Sequence, residues 1–181
     1  MTIAAVLVAV MLGLAGCAQR GNYQASVTAT TVGSPGGAAS GTGGDRPSAA
    51  DARAAILAGY RAYWDALVTA GADPDPASPL LPAHAIGIAL AEAREHLAEL
   101  KRLGHLDRGK VALHPRVVAI RGTTATVEDC PDTSHWLRRD AGTGALRDHT
   151  PPGRRTHVAV LYLIDDTWKV ADITWKQRCG S

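Results

Sequence analysis

Apolar and polar positions divide the chain into three regimes. Up to residue 16 the side chains are almost wholly aliphatic, with no charged group from position 2 onward. From residue 18 to 47 Gly, Ser, Ala and Thr dominate, with almost no large apolar side chain. Beyond residue 47 the pattern becomes periodic, and a single domain is predicted over 48–181.

That domain opens on a helix start. Ser48 precedes Ala49-Ala50-Asp51, an N-cap with an acid three residues on. Ile56, Tyr60, Tyr63, Trp64 and Leu67 then recur at helical spacing, while Arg53, Arg61 and Asp65 fall elsewhere on the wheel. The spacing predicts a helix that ends at Gly71 with its aromatic stripe in the core. Asp73-Pro74-Asp75-Pro76 is a loop, because the residue before each proline is pushed out of the helical region. A second helical region is predicted over 84–103. Its apolar positions are Ile86, Ile88, Leu90, Ala91, Leu97, Leu100 and Leu103; Gly87 divides it near its start and Gly104 stops it. Glu92, Arg94, Glu95, Glu99, Lys101 and Arg102 give it a solvated face.

From Lys110 the period changes to two. Strands are predicted over 111–113, 117–120, 124–129, 157–164 and 168–175. Asp165-Asp166-Thr167 joins the last two as an antiparallel hairpin. Residues 135–148 read as a further hairpin turning at 140–144, and Pro151-Pro152-Gly153 as a mobile connection. The 157–164 strand is apolar on both faces and is therefore expected at the centre of the sheet. Helices would cover one side of it, and a second surface, pocket or partner the other. Helices followed by an antiparallel meander make an α+β arrangement.

Composition narrows the function classes. The 181 residues suffice for one domain and a tether. With 19 basic against 17 acidic residues the net charge is only +2, and Arg138-Arg139 and Arg154-Arg155 are short basic pairs. Nucleic-acid binding wants a clustered basic face and is not expected. The glycines of 33–44 form no phosphate loop, since no strand precedes them and no Gly-Lys-Ser/Thr follows.

The N-terminal apolar run is shorter than the roughly 20 residues a bilayer-spanning helix needs. It fits the apolar region of a secretory signal, although no Lys or Arg precedes it. At its end Leu14-Ala15-Gly16-Cys17 resembles the lipobox of bacterial lipoproteins. The resemblance implies cleavage before Cys17, so that 1–16 is a signal peptide, with a diacylglycerol on the Cys17 thiol and a palmitate-type acyl chain on the new amino group. Each buried methylene contributes about 0.8 kcal/mol, so two or more chains anchor stably where one is marginal. The competing reading is an ordinary secretory signal cut near Ala15 or Ala18, with Cys17 uninvolved. On the lipoprotein reading 17–47 is a disordered tether with an r.m.s. reach of about 30 Å. The domain would then stand at the extracytoplasmic face of the cell membrane, its first partner being the lipid bilayer.

Setting Cys17 aside leaves Cys130 and Cys179, an even pair in an oxidising compartment, each just beyond a predicted strand. A disulfide is expected between them; two separate buried thiols are the alternative.

Tyr60-Arg61-Ala62-Tyr63-Trp64 on the long helix, Val127-Glu128-Asp129-Cys130 and Trp168-Lys169-Val170-Ala171-Asp172 carry a wider resemblance. Over about 50–179 the chain resembles small lipoproteins of high-GC Gram-positive bacteria with the nuclear-transport-factor-2-like fold. The resemblance implies N-terminal helices packed on a strongly curved antiparallel sheet, shaped as a cone. It also implies a homodimer through the open sheet face, and it implies no reaction. Enzymes of the wider fold family, ketosteroid isomerases and polyketide cyclases, place an acid or histidine in the mouth of the cone. By residue type the candidates are Asp129, Asp132, His135 and Asp172, with Tyr60 or Tyr63 as donor; none matches a family motif, and each has a structural role as its alternative. No Ser-His-Asp, Cys-His or Cys-x-x-Cys arrangement is present. His84 and His96 stand twelve apart, without the spacing of a helical metal pair, so neither metal nor cofactor is expected.

The function expected from these residues is that of a membrane-anchored accessory domain of the cell envelope. It would bind an envelope protein or an apolar ligand in the cone, without catalysis. An isomerase- or cyclase-type enzyme is the alternative, and a structural role at the cell wall a third reading. Mass spectrometry of the native N-terminus should find acylated Cys17 as the first residue, and globomycin should cause the uncleaved precursor to accumulate. An unmodified residue at that terminus would overturn the anchor.

Overall fold

Ser48 begins the first helix as its sequence predicts. Its hydroxyl accepts from Asp51 N at 3.1 Å, and the Asp51 carboxylate accepts from Ser48 N at 3.2 Å, so two otherwise unpaired donors are satisfied. The helix, α1, runs Ala49–Gly71 and buries Ile56, Tyr60, Tyr63, Trp64 and Leu67. A computed structural model describes residues 48–147 and 154–179, which belong to one compact unit. The expected signal peptide, Cys17, the tether and the Pro151-Pro152-Gly153 connection lie outside them.

After α1 come α2 (Leu80–His84) and α3 (Gly87–Leu103), then β1 (His105–Gly109), β2 (Arg116–Arg121) and β3 (Thr124–Asp129). The strands β4 (Trp136–Asp140), β5 (Arg155–Ile164) and β6 (Thr167–Arg178) complete the domain. A four-stranded antiparallel sheet has the order β2-β3-β5-β6, and β1 pairs with β4 in a separate two-stranded sheet. The mixed α+β content is as expected, and β5 is central. On its inner face His157, Ala159 and Leu161 are buried with Ala125, Val127, Val170 and Ile173. On the outer face Val158 and Val160 are half-buried while Tyr162 and Ile164 are exposed. The β5–β6 hairpin turns at Asp165 and Asp166, both in the left-handed region at φ 47° and 57°, as a tight hairpin requires.

Three expectations need correction. The region predicted over 84–103 divides at Gly87 as expected, but its short first helix begins earlier, at Leu80, and ends at His84. Between them Ala85 bridges to Val170, and Ile86 N donates to Val170 O at 2.9 Å, so the chain leaves the helix to dock on β6. The buried stripe of α3 is Ala89, Ala93, Leu97 and Leu100, whereas Ile88 is 56 % exposed and Ala91 and Leu103 are also exposed. Leu97 and Leu100 are buried as expected, but Ala89 and Ala93, rather than Ile88 and Ala91, complete the buried face.

The second correction concerns 111–113, which is not a strand. Ala112 alone exchanges backbone hydrogen bonds with Asp132, at 3.0 and 2.8 Å, and Pro115 lacks a donor to carry pairing onward. The third concerns 135–148. Its turn forms as predicted, with Asp140 Oδ1 accepting from Gly142 N and Thr143 N at 3.1 and 2.8 Å. Among the described residues the returning arm makes one bridge, Arg139 to Leu146, while β4 pairs along its length with β1 on its other edge.

Two long-range contacts finish the sheet margins. Arg53 donates to Val117 O at 3.2 Å, and Lys169 Nζ donates to Pro82 O at 3.0 Å. Cys130 and Cys179 form the expected disulfide, Cα to Cα 6.1 Å, tying the ends of the two strands that flank β5. It closes a loop with a sequence separation of 49. In the chain-entropy account that constrains the unfolded state by about 4 kcal/mol. The Cys130→Ser/Cys179→Ser double variant should lose roughly that stability in urea unfolding; an unchanged midpoint would show that the bridge does not stabilise the fold.

Candidate functional site

The inner face of the sheet carries a row of chemically distinctive side chains. Register places Asp129 of β3 opposite His157 of β5, and His157 opposite Trp175 of β6. Directly opposed side chains on one face are in contact range. The rings of His157 and Trp175 lie 4.4 Å apart between centroids, and on the helix side Trp64 stacks on His157 at 5.7 Å. Trp64 meets Trp136 of β4 edge to face at 6.3 Å, and Trp136 lies 5.8 Å from His96 of α3. Five rings from five elements thus form one continuous run.

These rings line a cleft of two adjoining hollows, about 190 and 260 Å³. An apolar cavity of roughly 150 Å³ takes a benzene ring, so one- or two-ring ligands match the space. Trp136 reaches the cleft because β4 crosses β1 closely. Gly109 (φ 121°) faces Trp136 in the register, and a Cβ there would stand 1.7 Å from His135 O. No other residue type permits that crossing.

One wall of the cleft is polar. Asp107 is buried and bonds His96 Nε2 through Oδ2 at 2.7 Å. Its other oxygen lies 3.6 Å from Nε of Arg138, its cross-strand neighbour. A buried carboxylate needs such partners, since its desolvation alone would be prohibitive. His96 therefore has a fixed ring orientation at the cleft wall. Arg154 and Arg155 stand at the smaller hollow's edge.

Burial lowers the proton affinity of His157, and the nearby Asp129 charge offsets this only in part. Burial first, then the Asp129 charge, holds the Tyr60 phenol far above its ordinary range, although its hydroxyl makes no hydrogen bond of normal geometry. Burial, with Glu92 adding to it, pushes Tyr63 up to about 12. Both phenols stay protonated at neutral pH.

Of the residues singled out by type, only Tyr63 borders the cleft. Asp129 Oδ1 accepts from His114 N at 2.8 Å and Cys130 N at 2.7 Å, fastening the loops beside the disulfide. Asp132 accepts from Ser134 N at 3.0 Å, and hydrogen bonding by Ser134 holds its carboxyl below the usual range. His135 is exposed. Asp172 pairs with Val160, on the sheet face opposite to His157 and Ala159. Tyr60 is fully buried and borders neither hollow.

His96, Asp107 and His157 were not among the site candidates chosen from the sequence. His96 had a signal, standing three after Ala93 and four before Leu100 on the buried face of α3. His157 had another, its alternation with Ala159 and Leu161. Asp107 had none. Among the described residues no three His, Cys, Asp or Glu side chains gather into a group able to hold a metal ion.

No family model matches the chain. Over 109 residues it is 37% identical to 2-deoxy-scyllo-inosose synthase of Streptomyces fradiae, covering 53% of this chain and 25% of that protein. The chain thus spans a quarter of the length of that curated relative. Among solved structures, the intermembrane space region of chloroplast protein ARC6 aligns with a TM-score of 0.47 at 18% identity, covering 74% of this chain and 99% of that one. A de novo β-sheet design aligns with a TM-score of 0.34 at 18% identity, over 70% and 92% of the two chains. Both likenesses are too slight to say anything of function.

The environment of His157 sets a pH dependence. Its folded-state pKa lies below the unfolded value of about 6.5, so the unfolded chain takes up the proton more readily. Its contribution is fully present above about pH 6.5 and is lost as the pH falls toward the folded value. Urea midpoints should therefore decline on acidification below about pH 6.5, before carboxylates protonate. A His157→Phe variant, which keeps a ring between Trp64 and Trp175, should lack that decline; an unchanged profile would refute the assignment.

Proposed function

We propose that the chain is a lipid-anchored binding domain at the extracytoplasmic face of the cell membrane, held by Cys17 and built on a nuclear-transport-factor-2-like cone. Its aromatic cleft receives an apolar ligand of one or two rings. The observation that carries this reading is the unbroken run His96–Trp136–Trp64–His157–Trp175 along the cleft. Aromatic faces of this kind contribute about 0.5–1.5 kcal/mol per stacked pair beyond the area they bury. Trp175 is 61 % exposed at the lip, a large apolar side chain that a ligand would cover. The exposed Tyr162 and Ile164 on the outer sheet face support a homodimer there.

The isomerase- or cyclase-type reading has one observation in its favour, the His96–Asp107 hydrogen bond at the cleft wall. A histidine oriented by a carboxylate is equipped to move a proton. His96→Gln would then abolish turnover of a bound substrate while weakening its binding only slightly, whereas in a binding domain no turnover exists to lose.

Naphthamide, a neutral two-ring probe, should quench the tryptophan fluorescence of the full chain saturably. Trp175→Ala should weaken this about tenfold and leave the urea midpoint unchanged. Quenching that never saturates would overturn the binding reading.

A further inference from the structure

The cleft is apolar along its floor and cationic along one edge, and this asymmetry goes beyond a general preference for rings. We infer that its ligand is a flat apolar or aromatic carboxylate, with the ring body on the tryptophans and the carboxylate held by Arg154 and Arg155. The inference rests on the cleft being a binding site.

Three guanidinium groups border the smaller hollow, those of Arg138, Arg154 and Arg155. One carboxylate borders it, Asp107, and that group is already engaged by His96 at 2.7 Å and Arg138 at 3.6 Å. Asp107 and Arg138 thus balance each other, leaving Arg154 and Arg155 in excess. Arg154 makes a long contact to Cys130 O at 3.4 Å, and the Asp132 carboxylate is near enough to feel its charge. The Arg155 side chain makes no hydrogen bond or ion pair among the described residues. Both residues are exposed where β5 begins, three and two residues before His157 turns into the cleft.

The chemistry favours a carboxylate. A guanidinium offers a planar fork of donors that matches two carboxylate oxygens, and it is weakly hydrated, so it releases water readily to an anion. The fork also lies well beside an aromatic plane. Thr133 adds a hydroxyl to the same rim. A neutral ring would leave the two arginines solvated and gain nothing from them. A free anion without a ring would forgo the tryptophan faces.

The test pairs naphthoate with naphthamide, isosteric probes that differ in charge, against the full chain, with the carrier buffer or detergent alone as blank. Naphthoate should bind about tenfold more tightly at low ionic strength, and the advantage should shrink as salt is raised. Arg154→Gln/Arg155→Gln should abolish the advantage while naphthamide binding persists. Arg121→Gln on β2, which removes the same kind of charge away from the cleft, should preserve it. Equal binding of the two probes overturns the carboxylate inference and leaves the aromatic cleft standing. A naphthoate advantage that survives the double variant also overturns it. Failure of both probes to bind removes the cleft reading and this inference together.

Discussion

The packing of α1 on the inner face of the sheet governs the remainder of the domain. Ile56 and Tyr60 are fully buried there with Val127, Leu161 and Val170. Each large side chain taken out of water contributes about 1.5–3 kcal/mol. The separation of helix and sheet is set by backbone. At Gly59 a Cβ would stand 2.5 Å from Trp168 O, so the helix rests directly on β6 and any side chain would lift it. That closeness lets Trp64, further along the same helix, reach His157 in the sheet. The aromatic run and the cleft beside it both depend on it.

Asp129 joins two parts of the molecule. One oxygen fastens the His114 and Cys130 backbones beside the disulfide, and the carboxylate charge acts on Tyr60 and His157. Tyr60 Oη, Trp64 Nε1, Asp129 Oδ2 and His157 Nδ1 are all buried without a protein hydrogen-bond partner. An unmet buried donor or acceptor costs about 1–3 kcal/mol. Trp64 and His157, with the similarly unpartnered Trp136 Nε1, line the cleft, while the apolar stripe of α1 stabilises the same region.

Features with local causes were legible in the sequence. The Ser48–Asp51 cap, the aromatic stripe of α1, the Asp165-Asp166 turn and the centrality of β5 each follow from a few neighbouring residues. The disulfide was legible too, because both cysteines follow strand ends. The cleft was not, because it depends on β1. His105-Leu106-Asp107-Arg108-Gly109 shows no alternation of apolar and polar residues, and its partner β4 begins at Trp136. Without that pairing Asp107 has no reason to be buried, and His96 looks like one more polar residue on a charged helix. Choosing acids by type did not find the cleft, since Asp129 and Asp132 satisfy backbone donors at a strand end and a turn. Short acidic side chains do this wherever a chain reverses.

The short crossing of Ala85 and Ile86 over Val170 shapes how copies of the molecule tolerate one another. It occupies hydrogen-bonding groups along the outer rim of β6 that would otherwise template a foreign strand. On the opposite rim, β2 has an irregular register between Val117 and Ala119, and Arg53 takes the Val117 carbonyl. Neither rim presents a straight, unoccupied ladder. For molecules at high local concentration, that is protection against sheet-to-sheet polymerisation, and it leaves side-chain surfaces as the means by which neighbours meet.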